Sequence, residues 1–205
     1  MQTQDTGDNE PSDNLQEPDA AQQAKVEPIR RLRDIKAIKI LIKDNPRNAA
    51  LFTLGINTPL MPNELLHLKV HQVRNLTPGG LVTIGDDRTE RAKTIPVNRI
   101  SVLAIQALLE TDTYGDDDFL FKSQRGNLVV PSLHRLITKW CKSIGLVGNF
   151  GSHTLRKTWG FHQNHSFGVE VSRLTKIFNH SSQKQTRDYL CIEEPEETDI
   201  FLNEL

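Results

Sequence analysis

The chain has 205 residues, enough for one domain of ordinary size with tails. Apolar residues make up 37% and charged residues 25%, no apolar run approaches the ~18–20 residues a bilayer span needs, and the polar, acidic start is unlike a secretion signal. The net charge of −1 hides an uneven distribution: 12 of the 26 acids lie in residues 1–24 and 193–205, all 25 bases lie between these tails, and residues 25–192 carry +11, a balance that suits either a polyanionic partner or a solvated surface with uneven tails.

Residues 1–24, rich in Gln, Asp, Asn and Pro, cannot bury enough apolar surface to offset ordering entropy and are expected to be disordered. One domain is expected over 25–192, followed by a second acidic tail, 193–205. Ile35, Ile38 and Ile42 recur at helical spacing, and Asn45-Pro46 interrupts that helix. A second helix is expected from Arg47 to about Gly55. A third spans 63–68, with Pro62 in its first turn, where the missing N–H is not needed. Residues 81–84 and 94–97 are β-prone runs around a charged turn and predict a hairpin. Helix returns at 100–109; residues 119–121 read as extended, and Arg125-Gly126-Asn127 as a turn. Further helices are expected at 133–144, 153–165, 171–178 and 183–190. The fold class is therefore mainly α with a small antiparallel β-sheet, an α+β domain.

Cys141 and Cys191 lie far apart without Cys-x-x-Cys pairing or zinc spacing, which fits two incidental thiols in the cytoplasm. His162 and His165 share a helix face at i, i+3. No acidic or Cys partner stands nearby, so no metal is expected. Trp159 and Phe161 read as core. Arg30, Arg31 and Arg33 form a basic cluster before the first helix, suited either to solvent or to a phosphate backbone.

The informative stretch is Ser152-His153-Thr154-Leu155-Arg156-Lys157-Thr158-Trp159-Gly160, followed by Phe178-Asn179-His180-Ser181-Ser182 and then Tyr189. A His-x-x-Arg box, an Asn-His-Ser-Ser box and a tyrosine nine residues further on, in this order, resemble the active-site boxes of the tyrosine recombinase (phage integrase) family. The resemblance runs from about Arg33 to Leu190 and includes Leu51 to Leu60 and the Glu64-Leu65-Leu66-His67-Leu68 helix. It implies a tyrosine recombinase catalytic-domain fold and site-specific recombination of double-stranded DNA, without cofactor.

By this resemblance Tyr189 is the nucleophile that forms a 3′-phosphotyrosine. Arg156, His153 and His180 hold the phosphate or handle protons, and Arg88 stands where the family has a hairpin lysine. Guanidinium suits the first task because it stays charged and donates in a planar fork. Arg88, Arg91, Lys157, Arg30, Arg31 and Arg33 are the expected DNA contacts. The family's first arginine falls at Met61, and the N-terminal DNA-clamping domain of larger members has no counterpart in residues 1–24. A homo-tetramer on DNA, or association with an intact recombinase, is implied, with Ile200-Phe201-Leu202 as a candidate docking tail. Two alternatives stand beside the enzyme: a degenerate DNA-binding accessory or decoy, and a helical interaction domain in which the motifs are remnants.

Overall fold

The computed structural model describes residues 26–85, 92–123 and 126–193. It begins with an extended strap, residues 26–29, in which Val26 and Ile29 are buried. Helix α1 (Leu32–Leu41) follows and turns Ile38 inward. The Asn45 side chain then accepts from the Asn48 N–H and caps α2 (Pro46–Asn57). Helix α3 (Pro62–Leu66) stops short of Leu68. The reason is pairing elsewhere: the Leu68 carbonyl accepts from Leu120 N–H at 2.8 Å, and Lys69 bridges to Phe119. Of residues 119–121, expected to be extended, only Phe119 takes part in a bridge, and 120 and 121 bend.

Strands β1 (Leu81–Ile84) and β2 (Lys93–Pro96) form the expected antiparallel hairpin, with Val82 opposite Ile95. Its tip, with Arg88 and Arg91, lies outside the described residues. Asn98 caps α4 (Arg99–Leu109). A second, minimal ribbon pairs β3 (Lys122–Ser123) with β4 (Gly126–Asn127), so Gly126 and Asn127 sit in a strand and not only in a turn. Helix α5 (Val130–Ser143) starts ahead of the expected 133 because Pro131 fits its first turn. Helices α6 (Thr154–His165), α7 (Val171–Phe178) and α8 (Gln183–Leu190) complete the domain, the last two with the expected bounds. The fold is mainly α with small antiparallel ribbons. Among the described residues no helix is long and apolar enough to cross a membrane.

Two apolar clusters organise these elements. The main core joins α1 to α5 with the hairpin and includes Phe52 edge-on to Trp140 at 6.0 Å. The second is small: Leu174, Phe178 and Leu190, with Trp159 and Tyr189 packed against them. Helix α6 lies between, and two glycines make that possible. A Cβ at Gly55 of α2 would fall 2.4 Å from Leu155 Cδ1, so this glycine admits α6 and does not end α2. A Cβ at Gly160 of α6 would fall 2.6 Å from Leu190 and 2.7 Å from Phe178, so its absence seats α7 and α8.

Candidate active site

Helix α6 is fastened along its length by the strap. Thr154 Oγ1 donates to the Glu27 carbonyl (3.0 Å) and Lys157 Nζ to the Val26 carbonyl (2.6 Å). Thr158 Oγ1 accepts from Ile29 N–H (2.8 Å), and His162 Nε2 meets the Ile29 carbonyl (3.0 Å). The first residues of this helix are therefore held in a fixed pose.

His153 stands at the N-terminal boundary of α6, and Arg156 follows three residues later, on the same side of the helix. Both are buried. The Arg156 guanidinium donates to the Pro59 carbonyl and lies over the Phe178 ring, 4.7 Å from its centroid. His153 Nδ1 is 3.4 Å from the Tyr189 hydroxyl, a long contact that a small movement would close into a hydrogen bond.

The other half of the site comes from the α7–α8 turn. Asn179 ends α7 in the left-handed conformation (φ 56°), which Asn tolerates better than most residues, and this bend carries His180 back over Phe178. The two rings stack at 5.4 Å and 18°. His180 Nδ1 pairs with Thr186 Oγ1 at 3.0 Å, and that hydroxyl pairs with Thr175 Oγ1 at 2.8 Å. Ser182 then caps α8 by accepting from Gln185 N–H, which sets Tyr189 in the last turn, its ring 5.1 Å from that of His180. His153, Arg156, His180 and Tyr189, separated in sequence, are thereby brought together.

Burial shapes the protonation of this group. It pushes the Tyr189 phenol up to about 12, against the opposing pull of the Arg156 charge and hydrogen bond. Burial also lowers Arg156 and His180; for His180 the Arg156 cation adds to the effect. His180 is thus kept neutral at pH 7, and Tyr189 keeps its proton.

Met61 caps α3 with its backbone: its N–H donates to Glu64 Oε2 at 2.7 Å, while its side chain is 38% exposed and offers neither charge nor donor. The other Glu64 oxygen meets Lys93 Nζ at 2.6 Å, and the Glu64 charge reaches Arg156. Sequence reasoning missed Lys93; its place at the inner end of the hairpin, two residues before Ile95-Pro96-Val97, was the available signal.

One expected DNA contact is corrected. Lys157 is fully buried and has no surface to offer a phosphate, because the i, i+1 neighbour of an inward-facing Arg156 here points at the strap. Arg30, Arg31 and Arg33 are exposed, as a solvent or backbone contact requires. His162 spends both ring nitrogens, on Ser166 and on Ile29, and among the described residues no group of three potential ligands is placed to hold a metal ion. Phe161 is buried as expected, whereas Trp159 is half-buried at the margin of the second cluster, edge-on to Phe178 at 5.7 Å.

The phage integrase family model matches residues 30–194 of this chain. The chain belongs to the phage integrase family. Among individual relatives, this integrase-family chain is 30% identical over 172 residues to the probable integrase/recombinase YoeC of Bacillus subtilis, over 82% of this chain and 91% of YoeC. The crystal structure of XerA recombinase matches with a TM-score of 0.65 at 18% identity, covering 86% of this chain and 64% of that one. The Tn1549 transposon integrase in complex with transposon right end DNA matches with a TM-score of 0.65 at 17% identity, covering 93% and 67%. At such identities the two structures speak for the shared fold, that of a tyrosine recombinase catalytic domain.

Proposed function

We propose that this integrase-family domain performs site-specific recombination by cleaving and rejoining double-stranded DNA, with Tyr189 as the nucleophile. The supporting observation is the convergence of one phenol, two imidazoles and one guanidinium on one spot. The phenolic oxygen attacks phosphorus, a tyrosyl O–P bond forms, the P–O5′ bond breaks, and the released 5′-oxygen takes up a proton. The 3′-phosphotyrosine conserves the bond for the reverse attack.

Tyr189 starts protonated, so its proton must leave as the new bond forms, and His153 Nδ1 is the group placed to receive it. Arg156 answers the charge that builds on the non-bridging oxygens. His180, neutral and oriented by Thr186, donates a hydrogen bond without competing charge. Arg88, Arg91, Arg30, Arg31 and Arg33 track the DNA backbone in this reading; the Tn1549 integrase, solved with transposon DNA, supports the partner class. Assembly on paired DNA sites, as a homo-tetramer or beside an intact recombinase, belongs to the same reading.

Met61 favours a second reading, a family member that grips DNA but cuts it slowly. One missing pre-organised donor typically costs roughly 10²–10³ in rate. A nicked suicide duplex separates the two. The enzyme traps a covalent protein–DNA adduct that vanishes in Tyr189→Phe, and Met61→Arg raises its yield at least about tenfold. Binding that weakens steeply with salt, with no adduct from either the natural chain or Met61→Arg, supports the second reading. Absence of salt-dependent binding removes both.

A further inference from the structure

Lys157 is the one fully buried lysine side chain in the α6 region, and neither reading above gives it a task. A buried ammonium normally needs a carboxylate or several acceptors to offset desolvation. Among the described residues no carboxylate forms an ion pair with it. Its two close partners are the Val26 carbonyl at 2.6 Å and the face of the Tyr189 ring, with Nζ 4.6 Å from the centroid. A methionine or leucine would fill the same volume without the cost of burying a charge, so the cation is retained for what it touches.

We infer that Lys157 is a positioning residue for Tyr189: one ammonium, shared between the strap carbonyl and the phenol face, holds the aromatic ring in place against α6. An ammonium over a ring face is attracted by the ring quadrupole, and the attraction strengthens when water is excluded. The carbonyl fixes the ammonium, and the ammonium fixes the ring. The strap, joined to α6 at Thr154, Thr158 and His162 as well, thereby reaches the residue in the last turn of α8. The consequence for DNA cleavage rests on Tyr189 being the nucleophile; the coupling of strap to ring does not.

The chain has two tyrosines, Tyr114 and Tyr189, which makes the ring directly observable by NMR with ring-labelled tyrosine. In Lys157→Met the Tyr189 ring resonances move and broaden, those of Tyr114 stay in place, and the Ile29 amide exchanges about tenfold faster or more. Adduct formation falls about tenfold or more while DNA affinity is unchanged, the signature of a misplaced nucleophile and not of a lost contact. Lys157→Arg, which keeps a cation, recovers part of both signals. Tyr189 resonances that ignore Lys157→Met, in a chain whose Tyr114 signal reports a native fold, overturn the inference.

A second measurement leaves Lys157 untouched. Its ε-methylene protons are shifted upfield by the ring above them; the shift persists in Tyr189→Phe and disappears in Tyr189→Leu. No upfield shift in the natural chain also overturns the inference, whether or not Lys157→Met folds. A Tyr189 ring that responds to position 157 in a chain forming no adduct keeps the coupling and removes only the nucleophile.

Discussion

The two apolar clusters differ in what they carry. The main core is built by five helices and the hairpin and holds no candidate catalytic side chain. The second cluster has three buried residues, Leu174, Phe178 and Leu190, yet Tyr189 packs against it and His180 stacks on its Phe178. Helix α6 bridges the two, so His153 and Arg156 are carried by the larger core and the phenol by the smaller cluster and its contact with Lys157. Free energies of local opening scale with the buried contacts an element makes. The contrast teaches that His153 and Arg156 share the stability of the larger core, whereas Tyr189 depends on a cluster whose local opening costs less.

The sharpest way to break this contrast is Gly160→Leu, which thrusts a side chain where even a Cβ meets Leu190 and Phe178. Helices α7 and α8 are displaced, and with Tyr189 as the proposed nucleophile adduct yield falls by about 10² or more, since small misplacements of a nucleophile have that effect. Phe52→Ala is the counterpart in the main core. It lowers global stability by about 3–5 kcal/mol in urea denaturation, because a fully buried ring is lost and its cavity persists. If Gly160→Leu shifted the main unfolding transition as far as Phe52→Ala does, the two clusters would be one cooperative unit and the contrast would fail.

Titration gives smaller effects. Tyr189 ionises at about 12 when folded and near ~10 when unfolded. Its contribution to stability is therefore complete below about 10 and is lost as pH rises toward the folded value. Tyr189→Phe flattens that alkaline limb in a pH series of urea melts. His180 changes least. Its folded value is lowered, so its contribution is present above the ordinary histidine value of ~6.5 and is lost as pH falls through the lowered one. His162 is lowered too and shares this acid limb. A His180→Asn series that leaves the α8 amides equally sensitive to acid would assign the limb to His162 alone.

Much of this was legible in the sequence. Helical spacing and breakers placed α7 and α8 at their observed bounds, and the hairpin strands within a residue of theirs, because local propensity and burial agree there. The His-x-x-Arg and Asn-His-Ser-Ser boxes, with the tyrosine nine residues further on, named the four side chains that meet. What escaped was set by packing between distant segments. Nothing local distinguishes Lys157, whose acceptor lies 131 residues away, from an exposed lysine beside an arginine. Gly55 read as a helix end because a glycine that makes room for a neighbour looks the same in one dimension as a glycine that ends a turn. Glu64 read as part of a helix, and its bond to Lys93 depends on how the hairpin folds over α3.

The strap has a consequence for biosynthesis. Its hydrogen bonds to α6 join residues 127 to 133 positions apart. At roughly 5–20 residues per second, a ribosome needs on the order of ten seconds to deliver α6 after the strap has emerged. Closing so long a loop is among the slowest contacts a domain of this size makes. A nascent chain therefore carries an unfastened α6, and His153, Arg156 and Tyr189 meet only once the segments on both sides of that long loop have left the ribosome.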